Sequence, residues 1–444
     1  MDYDVIVVGS GIAGTLAALH ASKTKRVAVV RKGYGATALS SGAFDIASRT
    51  GVRGRPFKGL APLPASITDI LNNEQLHPYS ILSKAFTGDR FNKFIDMVKT
   101  IGDEFFNELK DAGVSYEGSW ENLMVIPNLH GTFKITSFCQ ASMVSGNLMR
   151  LRGRKLLFVG FDKLTSHGKT RAGFLSNILS DYGFVSFKDI NYTNIDLHAH
   201  NVAYNEYDLV ALSSMMDDVE QARGILQIIK QALSSIEYEH AFIPPIMGIS
   251  KHNDVFKMFI DTFGDGVSEF ISSSFSSAGL RLQYALDRLL TRHGIDIING
   301  TVNHGNSSDR IMSVTVTQND GKSIELTANN FVLATGKFIS NGIHSVSSWK
   351  EAIFGLPVFV GSLHVKEPFP MNYLTADPFD EQALFSMGVK VDDYLRPLDE
   401  DGKVVYKNLF AAGSVLSGYN YIYDRTGMGT AMMTGARAGV LSTE

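Results

Sequence analysis

Residues 4–14 run Asp-Val-Ile-Val-Val-Gly-Ser-Gly-Ile-Ala-Gly, an apolar, β-branched stretch that ends in Gly9-x-Gly11-x-x-Gly14. The stretch predicts a buried strand, and the small residues Ala13, Ala17, Ala18 and Ala21 predict a helix lying close to it. Each glycine answers a separate demand: Gly9 permits the tight turn, Gly11 lets the backbone approach a phosphate, and Gly14 lets the helix pack on the strand. Backbone N–H groups at the start of that helix, backed by its dipole, supply positive potential without a cationic side chain. A lone glycine triplet also occurs in incidental turns; here it sits between a strand and an alanine-rich helix, the context that gives the motif its meaning. The reading is the opening unit of a dinucleotide-binding fold, with Gly9, Gly11, Ile12, Ala13 and Gly14 around a pyrophosphate.

The next strand, Val27-Ala28-Val29-Val30, departs from that pattern at its end. An acidic residue there would bind the adenosine ribose; this chain has Arg31 and Lys32. The pair either favours an additional phosphate, as in a site for NADP, or is a solvated strand end. After it comes Gly33-Tyr34-Gly35-Ala36-Thr37-Ala38-Leu39-Ser40-Ser41-Gly42-Ala43, small and rich in hydroxyls. It suits a backbone passing close to a ligand, with Thr37, Ser40, Ser41 and Gly42 as contacts, although an ordinary glycine-serine turn has the same composition. The segment resembles the serine and glycine loop of flavoproteins in the fumarate reductase and succinate dehydrogenase superfamily.

The C-terminal part carries a matching signal. Asn408-Leu409-Phe410-Ala411-Ala412-Gly413-Ser414 reads as a short buried strand, and Gly427-x-Gly429-Thr430-Ala431 opens a helix of small residues. This resembles the closing element of FAD-dependent oxidoreductases, whose helix N-terminus faces the flavin. Their pattern has Asp where Ser414 stands. Phe331-Val332-Leu333-Ala334-Thr335-Gly336 similarly resembles the strand ending in Ala-Thr-Gly of many flavoproteins.

Five blocks narrow the resemblance: Ser40 to Asp45, Gly131-Thr132-Phe133-Lys134-x-Thr136, Phe242-Ile243-Pro244-Pro245-x-x-Gly248, Gly279-Leu280-Arg281-Leu282-Gln283, and Asn329 to Phe338. In this order the chain resembles the B subunit of anaerobic glycerol-3-phosphate dehydrogenase. The resemblance implies a flavoprotein that works with a catalytic flavoprotein subunit and an iron-sulfur, membrane-anchoring subunit, with electrons passing from glycerol 3-phosphate towards quinone. The glycine motif favours FAD; the resemblance leaves FMN open. Two alternatives remain: a stand-alone flavin dehydrogenase, fumarate-reductase-like and acting on a small acid, and a flavin-free assembly subunit.

The expected fold class is α/β, a Rossmann-like FAD/NAD(P)-binding fold with a parallel sheet, interrupted by an α+β cap domain. The expected boundaries are 1–48 and 272–444 for the flavin-binding domain and 49–271 for the inserted cap or partner-binding domain. The polar stretch Ile271 to Gly279 is the expected joint, and Leu280, Leu282, Leu286, Leu289 and Leu290 predict an amphipathic helix after it. With 444 residues the chain is long enough for two domains, and a net charge of −4 argues against bulk nucleic-acid binding. A single cysteine, Cys139, excludes an intrachain disulfide and a cysteine-held iron-sulfur cluster within this chain. No 18-residue apolar run or signal peptide is visible, so the expectation is a cytoplasmic protein, peripheral to the inner face of the membrane through its partners.

The catalytic candidates are His130, Lys134 and Arg425. His130 is either a proton donor beside the flavin or a loop histidine satisfied by backbone. Lys134, with Thr136, suits an anion or flavin contact. Arg425 precedes the last glycine turn, where it either stabilises negative charge on a reduced flavin or pairs with Asp424 at the surface. Arg281 either binds phosphate or lies on a solvated helix face. His304, His344 and His364 lack metal-ligand spacing, and no metal is assigned.

Overall fold

A computed structural model describes residues 2–48, 61–162, 172–173, 175–177, 189–200, 202, 209–272, 276–303, 309–377 and 380–444. The chain packs into two units: Met1–Thr37, Asp45–Phe105 and Leu286–Glu444 form one, Ala38–Phe44 and Phe106–Ala285 the other.

The first unit is built on strand β1 (Tyr3–Val8), helix α1 (Ile12–Ser22) and strand β2 (Val27–Arg31). Five strands lie parallel in the order Asp296–Asn303, β2, β1, Ser323–Leu333 and Leu409–Ala411. A further strand, Ser313–Gln318, joins the outer parts of Asp296–Asn303 and Ser323–Leu333 in antiparallel fashion. Val5, Ile6, Val7, Val29, Val30, Phe331, Val332 and Leu333 are fully buried. That is why these strands read as unbroken apolar runs: a parallel strand covered on both faces has no polar side to alternate with. Each such side chain contributes about 1.5–3 kcal/mol by leaving water.

Helix α1 packs against the closing helix, Gly427–Leu441, backbone to backbone. A Cβ on Gly435 would lie 2.4 Å from the Ala13 carbonyl oxygen, and one on Gly439 would lie 2.4 Å from that of Ala17. The small residues on both helices therefore serve helix–helix contact.

The second unit has a parallel sheet in the order Val267–Glu269, His240–Ile243, Lys155–Phe161 and Asp189–Ile195. Its core joins Leu157, Val159 and Phe161 to Ile225 and Ile229 of helix Val219–Leu233 and Phe259 of helix His252–Phe263. Antiparallel ribbons complete it: Ala43–Phe44 and Tyr116–Gly118 flank Phe138–Gln140, and Met124–Pro127 pairs with Phe133–Thr136.

An insertion divides the sheet-bearing unit, but the divisions lie away from residues 48 and 271. Residues 61–105 pack with the first unit, because Tyr79 of helix Pro78–Ser83 lies against Gly429 of the closing helix. Ala38–Phe44 belong to the second, where Ala43 and Phe44 pair with Cys139 and Phe138. The later boundary falls inside helix Ser277–Arg292, whose start is fixed to the second unit: a Cβ on Gly279 would lie 2.3 Å from the Ala38 carbonyl oxygen. Ser273 to Phe275 of the expected joint, and His304, lie outside the described residues.

Candidate functional site

Parallel strands place their carboxyl ends on one edge of the sheet, and in such sheets that edge is where ligands bind. In the first unit β1 ends at Val8, the long strand at Leu333 and the short one at Ala411, and the glycine segments that follow converge. Gly9 has φ +113°, and a Cβ there would lie 2.3 Å from the Ala334 carbonyl oxygen. A Cβ on Gly14 would lie 1.8 Å from the Gly9 oxygen, and one on Gly413, at φ +80°, would lie 2.7 Å from the Ala13 Cβ. At Gly336 the same construction reaches 3.5 Å from the Ser414 hydroxyl. Gly9, Gly11, Ile12, Ala13, Gly14, Thr335, Gly336, Gly413 and Ser414 are thus brought together.

Gly11 caps α1 without a side-chain hydrogen bond, and the first turn holds no acid. Thr37 Oγ1 sits beside it, 3.4 Å from the Ile12 amide. Two hydroxyls nearby in sequence to these glycine segments, Thr335 Oγ1 and the fully buried Thr430 Oγ1, have no hydrogen-bond partner. A buried hydroxyl without a partner costs about 1–3 kcal/mol, and a ligand group or a water bonded to it removes that cost.

Arg31 is committed elsewhere. Its Nη1 donates to Asp287 Oδ1 at 2.6 Å and its Nε to Asn299 Oδ1 at 3.1 Å, while Tyr34 Oη donates to Asp287 Oδ2 at 3.2 Å. It is neither a solvated strand end nor a guanidinium facing only phosphate; Lys32 is exposed.

The closing helix has Thr426 at its N-cap, and Arg425 just before it stands at φ +50°, a left-handed conformation that L-residues avoid. Arg425 is half-buried; burial lowers its pKa while the Asp45 carboxylate opposes the shift. Asp424 is buried and accepts from the Asn420 amide at 3.0 Å, so it is no surface residue. A Cβ on Gly427 would make ordinary van der Waals contact with the Tyr421 Cβ, at 3.5 Å. Gly429 has no such room: its amide donates to the Asp45 carbonyl at 2.9 Å, and an added Cβ would lie 2.1 Å from Tyr79 Oη. Its smallness is a packing requirement.

Lys337, next to Gly336, is a residue to which the sequence alone assigns no role. It is 5 % exposed, donates to the Phe385 carbonyl at 2.9 Å and lies 5.5 and 5.7 Å from the Tyr419 and Tyr421 ring centres. Burial pushes its pKa down to about 7. Tyr419 Oη is a further buried hydroxyl without a hydrogen bond. The sequence signal is a lysine directly behind a buried strand's terminal glycine.

The second unit holds the other candidates. Ser40 and Ser41 are half-buried, and Ser40 Oγ is a shielded, unpartnered oxygen. Gly42, at φ +91°, is pressed against Met143 and Ala278. His130 is exposed on the turn between Met124–Pro127 and Phe133–Thr136, its amide donating to Asn128 Oδ1 at 2.9 Å. Lys134 is half-buried opposite Ile126, and Thr136 Oγ1 is occupied by the Phe138 carbonyl at 2.9 Å. Arg281 corrects both of its readings: it is fully buried, bonded to Glu269 at 2.7 and 2.9 Å, to the Gly248 carbonyl at 2.6 Å and to Gln140 Oε1 at 3.2 Å. Burial would raise the Glu269 pKa, and the guanidinium overrides it, holding the carboxyl below its usual range. Burial likewise raises the Cys139 thiol. Among the described residues no three His, Cys, Asp or Glu side chains gather as a metal site, and no helix is long and apolar enough to cross a membrane.

Known proteins resemble this chain over its whole length. The B subunit of anaerobic glycerol-3-phosphate dehydrogenase from Vibrio vulnificus YJ016 is 26 % identical over 447 residues, covering 99 % of this chain and 95 % of its own. A probable B subunit of the same enzyme from Halobacterium salinarum R1 is 26 % identical over 461 residues, 100 % and 98 % of the two chains. Among solved structures, the 3-ketosteroid-delta4-(5alpha)-dehydrogenase of Rhodococcus jostii RHA1 aligns at 12 % identity and TM-score 0.38 over 100 % of this chain and 97 % of its own. The family model described as "FAD binding domain" matches residues 4–179 and 268–430, which span both the β1–α1 glycine turn and the start of the closing helix. The chain belongs to this FAD-binding family, so the flavin of its family is FAD.

Proposed function

We propose that the chain is the flavoprotein B subunit of an anaerobic glycerol-3-phosphate dehydrogenase complex. In that complex glycerol 3-phosphate is oxidised to dihydroxyacetone phosphate, releasing two electrons and two protons, and the electrons pass through an iron-sulfur partner towards quinone. The full-length likeness to subunits of that name supports the assignment. One observation carries the cofactor reading: three strand ends bring their glycines together beside an α1 N-terminus whose cap makes no side-chain bond.

The residues present fit FAD. Gly11, Ala13 and Gly14 would receive the pyrophosphate on backbone amides, while Gly9 and Ile12 shape the turn, their own amides donating to the Val30 carbonyl at 2.8 Å and to Thr37 Oγ1 at 3.4 Å. Thr335, Gly336, Gly413, Ser414 and Thr430 would offer hydroxyls and close backbone, and Thr37 would supply a further contact; Ser40, Ser41 and Gly42, in the second unit, are proposed as contacts on the sequence resemblance alone. Bound FAD supplies the capacity to accept a hydride and release electrons singly. The amides of Gly427 and Met428 sit in a first turn with no intrahelical acceptor and favour negative charge beside them, as does Arg425. His130 and Lys134 remain candidates for holding a proton or an anion. With one cysteine the chain cannot build its own cysteine-held cluster, so an iron-sulfur relay would sit on a partner.

The test is to purify the chain alone and with its co-expressed partners, denature it, and identify the released flavin by mass. FAD in the chain, and dye-linked glycerol 3-phosphate oxidation only in the complex, is the expected result. Turnover by the isolated chain would favour a stand-alone dehydrogenase, and a flavin-free chain in an active complex would make it an assembly subunit.

A further inference from the structure

We infer that His77 is a positioning residue for the first turn of the closing helix, acting through Thr426. The inference rests on the reading that this turn faces the cofactor.

His77 is fully buried, and its surroundings fix its proton. Its Nδ1 accepts the Tyr79 amide at 3.0 Å, so in the neutral ring the hydrogen resides on Nε2. That nitrogen lies 3.2 Å from Thr426 Oγ1 and donates to it. The ring is held edge-on by Tyr79 and Tyr419, with centres 4.9 and 5.4 Å away.

The consequence lies in what Thr426 is kept from doing. A threonine at an N-cap ordinarily turns its hydroxyl onto the helix's own first amides. Here Thr426 makes no such bond, although it is fully buried at the N-cap. His77 has drawn the hydroxyl aside, leaving the Met428 amide, the one such a cap would take here since Gly429 donates to the Asp45 carbonyl, for a ligand beside the Gly427 amide. The same short helix grips the turn again two residues on: Tyr79 Oη donates to the Ile46 carbonyl at 2.7 Å and sits where a Cβ on Gly429 would be. The left-handed Arg425 lies immediately before this clamped turn, where surrounding structure must hold it.

The experiment uses the full chain with His77→Phe, which keeps a ring between the tyrosines, Thr426→Val, which keeps the shape of the acceptor, and both together. FAD affinity, the midpoint potential of bound FAD, and hydrogen exchange at the 427–430 amides of FAD-free protein are measured. His77→Phe frees the Thr426 hydroxyl to take the Met428 amide, and is expected to weaken FAD binding about 3- to 10-fold, the worth of one hydrogen bond, and to move the potential. Thr426→Val leaves the amides open and should bind FAD within about twofold of the parent, and the double variant should regain most of the affinity that His77→Phe loses. Should His77→Phe fail to fold, His77→Leu makes the same test. Parent-like affinity and potential in the His77 variant, or a double variant no better than it, overturn the inference. A parent chain that takes up no FAD refutes the cofactor reading alone; exchange then decides, slower at Met428 in the His77 variant but not in the double variant if His77 holds the hydroxyl off, unchanged if it does not.

Discussion

Replacing Lys337 by Met should make the protein's stability depend on pH differently, because this lysine is buried with a backbone carbonyl and two tyrosine rings around its ammonium. Its pKa falls from 10.5 to about 7 through burial. Between those values the unfolded chain binds a proton that the folded one does not, so parent stability rises with pH across that window. Below about pH 7 the cost of burying the ammonium is fully present; above 10.5 it is gone. At about 1.36 kcal/mol per unit, the parent should gain roughly 2.5 kcal/mol on Lys337→Met between about pH 7.5 and 9.5. The tyrosine rings oppose the shift, and about 2 kcal/mol of cation–π attraction would still leave a gain of about 1 kcal/mol. Urea unfolding of both proteins across this range measures it. Profiles that stay parallel to within about 0.5 kcal/mol would refute the reasoning and show the ammonium to be fully stabilised where it stands.

Gly14→Ala places a methyl carbon 1.8 Å from the Gly9 carbonyl oxygen, so the β1–α1 turn must open; flavin content by absorbance should fall at least about tenfold, and full content would show that the turn adapts. Arg281→Met strands the Glu269 carboxylate, fully buried, and should cost about 3–5 kcal/mol in urea unfolding; a loss under about 1 kcal/mol would mean that water reaches the pair. Arg31→Ala should change FAD affinity by less than about threefold, because the guanidinium is bonded to Asp287 and Asn299; a loss beyond about tenfold in titration would show that it also reaches the cofactor.

What the chain discloses before folding follows the range of the interactions involved. Gly9 to Gly14 is legible because turn, helix start and packing are settled within a few residues, and each demand excludes a side chain. Arg31 is not, since its partner Asp287 arrives from a helix far along the chain. Arg281 likewise looks like a surface or phosphate-binding cation, and only folding shows Glu269 beside it with no solvent at either. Gly429 is legible as a glycine but not for its reason, which is the Tyr79 hydroxyl. His77 gives little warning: a histidine before a proline is a plausible helix start, and nothing nearby announces Thr426.

Helix α1 owes its place to glycines at 435 and 439, and so to residues synthesised long after it. At about 5–20 residues per second, roughly 400 residues and some 20–80 seconds of synthesis separate the two helices. During that interval the β1–α1 glycine turn exists without the helix that covers it, and its apolar face is open to chaperones or to misassociation. If, as proposed, the closing helix completes the cofactor site, loading waits for it, and a ribosome stalled short of residue 427 should carry a nascent protein that holds no FAD.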